Sequence, residues 1–334
     1  MNSLYKKIGI IGGGQLGKMM ILEAKRLGLY VITLDPTFNC PSHSISDEHI
    51  VADFHDKNAL KELSQKANVI TYEFEHINAI ALAELELEGA IIYPSVNSLK
   101  IIQNKFTQKQ KLKENNINVP NFFLVKSKKE IFEYGEKFGY PIMLKSCTDG
   151  YDGKGNFLIT SKELIETGFN LLYKNNLIMI EEYIPFIKEI SVIATRGVNG
   201  EKVVYPVAHN IHKNSILDTT IVPANLDTIT EQNAKKIANN VMDVFDGVGT
   251  FCIEMFVKEN GNIFVNEVAP RPHNSGHYTI EACRVNQFEN HIRAIIGLPL
   301  GDTSLLQHAV MVNLLGQDSN GIPNVVRFRK MLYI

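Results

Sequence analysis

Two apolar runs, 250–257 and 263–269, are separated by the turn sequence Glu259-Asn260-Gly261-Asn262, and each carries one interior carboxylate, Glu254 and Glu267. Asn-Gly between apolar runs marks a hairpin. Pairing Lys258 with Ile263 and counting back sets Glu254 directly opposite Glu267. Cross-strand neighbours lie about 5 Å apart at Cβ, where like charges are destabilising. A slip of one residue would instead send the two acids to opposite faces of the sheet. Acids facing each other from otherwise apolar strands are expected to line a cleft and share a hard divalent cation, and carboxylate and phosphate oxygens suit magnesium. Asn266 and the segment Arg271-Pro272-His273-Asn274-Ser275-Gly276-His277 add amide, guanidinium and imidazole groups. Such groups beside a metal-binding strand fit stabilisation of a transferring phosphoryl group. A lone histidine is more often structural; two in this run tilt the reading towards function.

The rest of the chain supplies a scaffold of matching kind. Residues 8–11 form a short apolar run, and Leu16, Met19, Met20, Glu23 and Leu27 mark a helix after it. Further strands are expected at 31–34, ending at Asp35-Pro36, and at 69–72 after a charged helix at 57–66. Strands alternating with helices indicate a doubly wound, Rossmann-like parallel sheet. A lysine-rich helix is expected over 99–116, broken at Val119-Pro120, and then a strand over 141–145. Strands at 178–182, 190–195, 202–207, 250–257 and 263–269, some divided by Asn-Gly turns, read as antiparallel. A helix over 277–296 is expected to stop at Gly297-Leu298-Pro299. The division is therefore 1–98, 99–175, 176–298 and a short 299–334, in a chain of 334 residues that exceeds one typical domain. The class is α/β followed by α+β.

Composition removes several function classes. A net charge of -2 does not supply the basic stripe a nucleic-acid surface needs. No apolar stretch reaches the length of a membrane span. Lys6 and Lys7 before 8–11 imitate a secretory leader, but Gly12-Gly13-Gly14 ends the apolar run too early. Cys40, Cys147, Cys252 and Cys283 are scattered without a CxxC pair, which favours reduced thiols and a cytoplasmic protein.

Two glycine-rich segments bear on ligands. Gly12, Gly14 and Gly17 follow a strand and open a helix, with Asp35 ending the next strand; these are dinucleotide-binding cues. Tight strand-helix packing uses the same glycines, and the residues alone leave both readings open. Lys145 ends an apolar strand just before Asp149-Gly150-Tyr151-Asp152-Gly153-Lys154-Gly155. A loop of that kind can close over a triphosphate and donate backbone N–H groups, with Lys145 and Lys154 supplying charge. Glu181-Glu182-Tyr183-Ile184 ends another strand, whose edge could read an adenine, and Glu189 could accept from ribose hydroxyls; solvated acids after a strand are the plainer alternative.

Together these segments resemble the ATP-grasp family, and within it the 5-(carboxyamino)imidazole ribonucleotide synthases. The matching stretches are 12–17, Thr71-Tyr72-Glu73-Phe74-Glu75, 150–155 and the long run from Asn266 to Cys283, continued by Gln287-Phe288-Glu289. The likeness extends to about Gly316. The resemblance implies an ATP-grasp fold behind an N-terminal doubly wound domain, with a shortened C-terminal domain. It implies a ligase in which ATP phosphorylates bicarbonate to carboxyphosphate, and the amine of aminoimidazole ribonucleotide takes the carboxyl group. By motif, Lys105, Lys145, Gly150, Tyr151, Asp152, Gly153, Lys154, Gly155, Glu181, Glu182, Tyr183, Ile184, Glu189, His212, Asn266 and Glu267 would hold ATP. Glu254 and Glu267 would hold magnesium, two ions being expected. Gln15, Leu16, Glu73, Tyr151, Asp152 and Asn274 would contact the ribonucleotide, and Arg271, His273 and Asn274 would sit near the reacting carboxyl. The resemblance also implies a homodimer, and the first glycine loop then serves the ribonucleotide rather than NAD.

The chain departs from the family pattern twice. Cys147 stands where an arginine is usual, removing a potential phosphate contact. After the 311–316 stretch only Arg329-Lys330-Met331 echoes a basic ribonucleotide-phosphate motif. Three other readings stay open: a glycinamide ribonucleotide transformylase-like ligase, an impaired ATP-binding protein, and an NAD-dependent dehydrogenase resting only on the Gly12, Gly14 and Gly17 pattern and Asp35.

Overall fold

The computed structural model describes residues 6–148, 155–173 and 177–314. The N-terminal part runs β1 (Lys7–Ile11), α1 (Gln15–Arg26), β2 (Tyr30–Leu34), β3 (Glu48–Ile50), α2 (Lys57–Lys66), β4 (Val69–Tyr72), α3 (Ala79–Leu87) and α4 (Val96–Ile102). Its strands form a parallel sheet in the order β3-β2-β1-β4. Parallel strands need both faces covered, and both are. Ile11, Ile32 and Tyr72 pack against α2, α3 and α4, whereas Ile8, Ile10 and Val31 pack against Met20, Ile21 and Ala24 of α1.

The middle part continues with α5 (Lys105–Glu114), β5 (Phe122–Val125), α6 (Lys128–Phe138), β6 (Ile142–Ser146), β7 (Asn156–Ile159), α7 (Ile165–Leu172) and β8 (Ile178–Glu182). These strands form an antiparallel sheet ordered β5-β8-β6-β7. Ile142, Leu144, Ile178 and Ile180 turn towards α6 and α7, so the period of two sends Lys145 and Glu181 to the opposite face. The last part adds β9 (Lys188–Arg196), β10 (Lys202–Val204), β11 (Ala208–Lys213), β12 (Ile216–Val222), α8 (Thr228–Phe245), β13 (Gly249–Val257), β14 (Ile263–Ala269), α9 (Thr279–Ala282), α10 (Gln287–Ile296) and β15 (Ala309–Val312). Its sheet runs β14-β13-β9-β11-β12-β15, with β10 beside β9. One face packs on α8 through Phe251, Ile253, Met255 and Val257; Glu254 and Phe256 face the other way.

The parallel sheet and the hairpins agree with the expectation from sequence, but the boundaries shift in places. Residues 99–116 are two helices rather than one, because the Asn104 side chain accepts from Phe106 N and Thr107 N and starts α5 afresh. The segment 277–296 is likewise split: Asn286 caps α10 through Phe288 N and Glu289 N, and Cys283 bridges Leu305. Strand 178–182, grouped above with 176–298, hydrogen-bonds into the β5-β8-β6-β7 sheet, so the divide between the antiparallel sheets falls after Glu182. β15 extends the larger sheet by pairing with β12. Residues 315–334 lie outside the described residues, and so do Arg329, Lys330 and Met331. Among the described residues, no helix is long and apolar enough to cross a membrane.

α10 is the joint between the parts. Phe288, Ile292, Ile295 and Ile296 bury against β1 and α1. Fully buried His291 accepts the Thr250 N–H at Nδ1 (3.1 Å), so its protonated Nε2 donates to Thr71 Oγ1 at 2.8 Å. One imidazole thus ties β13 to β4, and burial keeps it neutral by lowering its pKa to about 3. Replacing His291 by Leu orphans two buried polar groups, at roughly 1–3 kcal/mol each. A drop in thermal melting of several degrees is expected, about 2–4 °C per kcal/mol in domains of this size, and unchanged melting would remove His291 from that role.

Candidate active site

The polar face of the β5-β8-β6-β7 sheet and the outward face of the β13-β14 hairpin meet with α5 between them. Glu254 and Glu267 are paired directly across the hairpin, as expected from sequence, but by a different route. At the turn Val257, not Lys258, pairs with Ile263, and the register runs one residue off through Met255 and Val265. A bulge at Asn266 then takes up one residue and restores the Glu254–Glu267 pair. Strict alternation would face Asn266 and Glu267 oppositely. Instead Val265 and Val268, three apart, both enter the core, and Asn266 and Glu267 both stay on the cleft face.

Lysines surround this pair. Lys105, the first residue of α5, lies with Nζ 2.5 Å from Glu267 Oε1. Lys145 Nζ donates to Glu181 Oε1 at 2.9 Å and to Asn266 Oδ1 at 3.2 Å, crossing from one sheet to the other. Burial pushes the Glu267 carboxyl up, but Lys105, then Lys145 and Lys109, outweigh it and bring its pKa to about 2. Glu254 behaves oppositely. Burial and then the Glu267 charge push it up to about 7, and solvent reaching a quarter of its side chain tempers that shift without reversing it. Among the described residues, Glu254 has no lysine or arginine partner. Opposed carboxylates of which only one is neutralised form a hard oxygen set that fits a divalent cation bound with phosphate oxygens.

A softer metal fits less well. Ligand atoms of Cys252, Glu254 and His273 lie within 4.8 Å of one another, a donor set that would suit zinc. However, the Ser275 N–H donates to His273 Nδ1 at 3.2 Å, so the neutral ring carries its proton on Nε2 and offers no lone pair there. Burial, then Arg271, holds His273 neutral with a pKa of about 3. His273 therefore presents an N–H donor to the cleft, with Nε2 3.8 Å from Glu254 Oε1.

The remaining site residues fall into two groups. Near the cleft, His212 Nδ1 is in short contact with Glu189 Oε2, which raises the His212 pKa against the effect of burial. Glu182 closes β8, followed by half-exposed Tyr183 and buried Ile184. Gly155 accepts the Ser146 N–H at 2.7 Å. Gly150, Tyr151, Asp152, Gly153 and Lys154 lie outside the described residues. Cys147, read as a lost ligand contact, is wholly buried, and its carbonyl accepts the Lys105 N–H at 2.8 Å.

The second group joins the 271–277 segment to the N-terminal glycine loop. Arg271 Nε pairs with Glu75 Oε1 at 2.9 Å, and Asn274 opens a short turn capped by His273. Glu73 accepts Gly14 N–H at 2.6 Å and Gly17 N–H at 2.5 Å, and Asp35 accepts Gly13 N–H at 2.8 Å. A Cβ on Gly12, whose φ is +103°, would meet Glu73 Cγ at 2.4 Å. Gln15 lies exposed at the start of α1, and Leu16 packs partly against the α1–α10 core. The dehydrogenase reading fails here: the amides a pyrophosphate would need are taken by Glu73 and Asp35, and Asp35 is turned to backbone rather than to a ribose. Gln108 and Lys109 carry no role in the sequence reading, and Glu75 and Ser275 enter it only within longer motifs. The spacing Lys105, Gln108, Lys109 on one helix face was the available signal.

Comparison with known proteins agrees with this geometry. Residues 110–288 match the ATP-grasp domain, and residues 5–103 match the ribonucleotide synthetase preATP-grasp domain. The chain is 43% identical over 311 residues to the N5-carboxyaminoimidazole ribonucleotide synthase of Bacillus subtilis, covering 93% of this chain and 81% of that protein. The N5-carboxyaminoimidazole synthetase of Staphylococcus aureus complexed with ADP superposes with a TM-score of 0.90 at 42% identity, covering 96% of this chain and 86% of that one. The Aspergillus clavatus synthase in complex with ADP and 5-aminoimidazole ribonucleotide superposes with a TM-score of 0.89 at 36% identity, covering 94% and 83%.

The raised Glu254 pKa fixes the sign of a pH effect. Its folded value lies above the ordinary 4.5, so the folded state binds the extra proton and metal-free stability falls as pH rises from about 4.5 to 7. Glu254→Gln is expected to remove that slope and to raise metal-free melting at pH 8 but not at pH 5. Equal effects at both pH values would contradict the paired-acid geometry.

Proposed function

The chain belongs to the N5-carboxyaminoimidazole ribonucleotide synthases, ADP-forming ligases of the ATP-grasp type, and from that premise we propose how its cleft carboxylates 5-aminoimidazole ribonucleotide with ATP in purine biosynthesis. The terminal phosphoryl group of ATP passes to bicarbonate, giving ADP and carboxyphosphate. The exocyclic amine of the ribonucleotide then takes the carboxyl group, loses a proton and releases phosphate.

Lys105 and Lys145 hold the phosphates, and Glu181, Glu182, Tyr183, Ile184, Glu189 and His212 hold the nucleoside end. Glu254 and Glu267 would hold magnesium, which would supply charge neutralisation across the phosphate oxygens, and Asn266 would stand beside the nucleotide. His273 acts as a neutral hydrogen-bond donor towards the developing negative charge, a role that a preset N–H fills without reorganisation. Arg271 and Asn274 flank it, and the family resemblance assigns Tyr151 and Asp152, which lie outside the described residues, to ribonucleotide contact. Gln15, Leu16 and Glu73 form the ribonucleotide wall. The family resemblance also supports a cytoplasmic homodimer, which sedimentation would report as twice 37.5 kDa.

The observation that carries this reading is the chain of contacts Lys105–Glu267, Asn266–Lys145 and Lys145–Glu181, which closes two sheets around the opposed acids. In bicarbonate buffer with magnesium, aminoimidazole ribonucleotide is expected to stimulate ADP release strongly, and formate is not. Basal release alone would favour an impaired nucleotide-binding protein. Glu267→Gln is expected to stay folded and lose metal-dependent turnover; retained turnover would take Glu267 out of the metal site.

A further inference from the structure

The outer edge of β14 is the end of its sheet, yet side chains of α5 occupy its backbone groups at the bulge and just beyond it. Gln108 Nε2 donates to the Val268 carbonyl at 2.9 Å, and Gln108 Oε1 accepts the Val268 N–H at 2.9 Å. Lys109 Nζ donates to the Asn266 carbonyl at 2.8 Å and lies 2.9 Å from Glu181 Oε2. The Asn118 carbonyl accepts the Val265 N–H at 2.8 Å. A bulge disrupts the ladder locally, so a regular neighbouring strand could not stay in register along this edge. A glutamine amide can, because it offers one donor side and one acceptor side like a peptide group.

Both residues are almost wholly buried, Gln108 at 1% and Lys109 at 1% exposure. Burying an ammonium is costly unless it is paired. Here it spans the bulge carbonyl in one sheet and Glu181 in the other. Together with Lys105 on the same face of α5, the two residues take hold of three consecutive positions, Asn266, Glu267 and Val268.

We infer that Gln108 and Lys109 are positioning residues that fix the β14 bulge, so that Asn266 and Glu267 both face the nucleotide cleft. The inference rests on reading Glu267 as a ligand of the nucleotide-bound metal. Without the clamp the extra residue is free to migrate along β14, which would turn Glu267 or Asn266 away from Lys105 and Lys145.

The test measures MgADP binding to the full chain by calorimetry, without turnover. Gln108→Leu and Lys109→Met are each expected to weaken MgADP about tenfold, the scale on which outer partners of metal ligands act. KM for aminoimidazole ribonucleotide is expected to stay within about twofold of wild type. In a Glu267→Gln background, Gln108→Leu is expected to change MgADP affinity by less than about twofold, since both act through one group. Lowered melting with unchanged MgADP affinity, or equal weakening in both backgrounds, would overturn the proposal. If the Leu variant does not fold, Gln108→Glu, which keeps the Val268 N–H partner, is read by the same outcomes. Wild-type protein whose ADP release ignores the ribonucleotide would sink the ligase reading, while the MgADP comparison still decides the clamp.

Discussion

Two carboxylates set face to face across neighbouring strands repel each other, and much of this molecule is arranged around that repulsion. The β13-β14 hairpin could have avoided it, since an uninterrupted ladder from Val257–Ile263 would put Glu254 opposite Asn266. The bulge reinstates the acid pair and keeps the amide beside it. Lys105 neutralises Glu267, while Glu254 is left with a neutral imidazole. The asymmetry gives the pair its use. One carboxylate is ionised at any ordinary pH, and the other gains most from an incoming cation. The two acids thus differ in charge although they occupy equivalent places across the hairpin.

The parts that carry this arrangement are joined through one helix. α10 leaves the larger antiparallel sheet and packs into the N-terminal core, with His291 bonded to strands of both sheets. The segment 271–277, caught between β14 and α10, is thereby held against the stretch that follows β4, and the Arg271–Glu75 ion pair closes the seam. Side chains from the larger antiparallel sheet and from the end of β4 thus share one wall.

Much of this was legible in the residues. The parallel sheet announced itself through short apolar runs alternating with helical periods, and the paired acids through their place in apolar strands. The register was not legible in detail. Counting from the turn reached the right pair through a wrong start, because the bulge at Asn266 has no signature in apolar periodicity other than the three-residue step from Val265 to Val268. Helix breaks at Asn104 and Asn286 depend on single side-chain caps, which a polar run conceals. Lys109 and Gln108 were lost among the other lysines of the same helix, since burial is a tertiary property. The glycine loop was ambiguous for a different reason: its backbone does have the dinucleotide-binding shape, and only the positions of Glu73 and Asp35 show what occupies it.

That occupancy has a wider meaning. A strand-loop-helix crown of bare amides is an indiscriminate socket that would accept many small anions and phosphorylated metabolites. Here the protein stoppers its own socket with a carboxylate from β4's end, bonded at Gly14 and Gly17. The amides of Gly14 and Gly17 are thus spent inside the fold, so a molecule meeting this loop meets side chains rather than bare backbone.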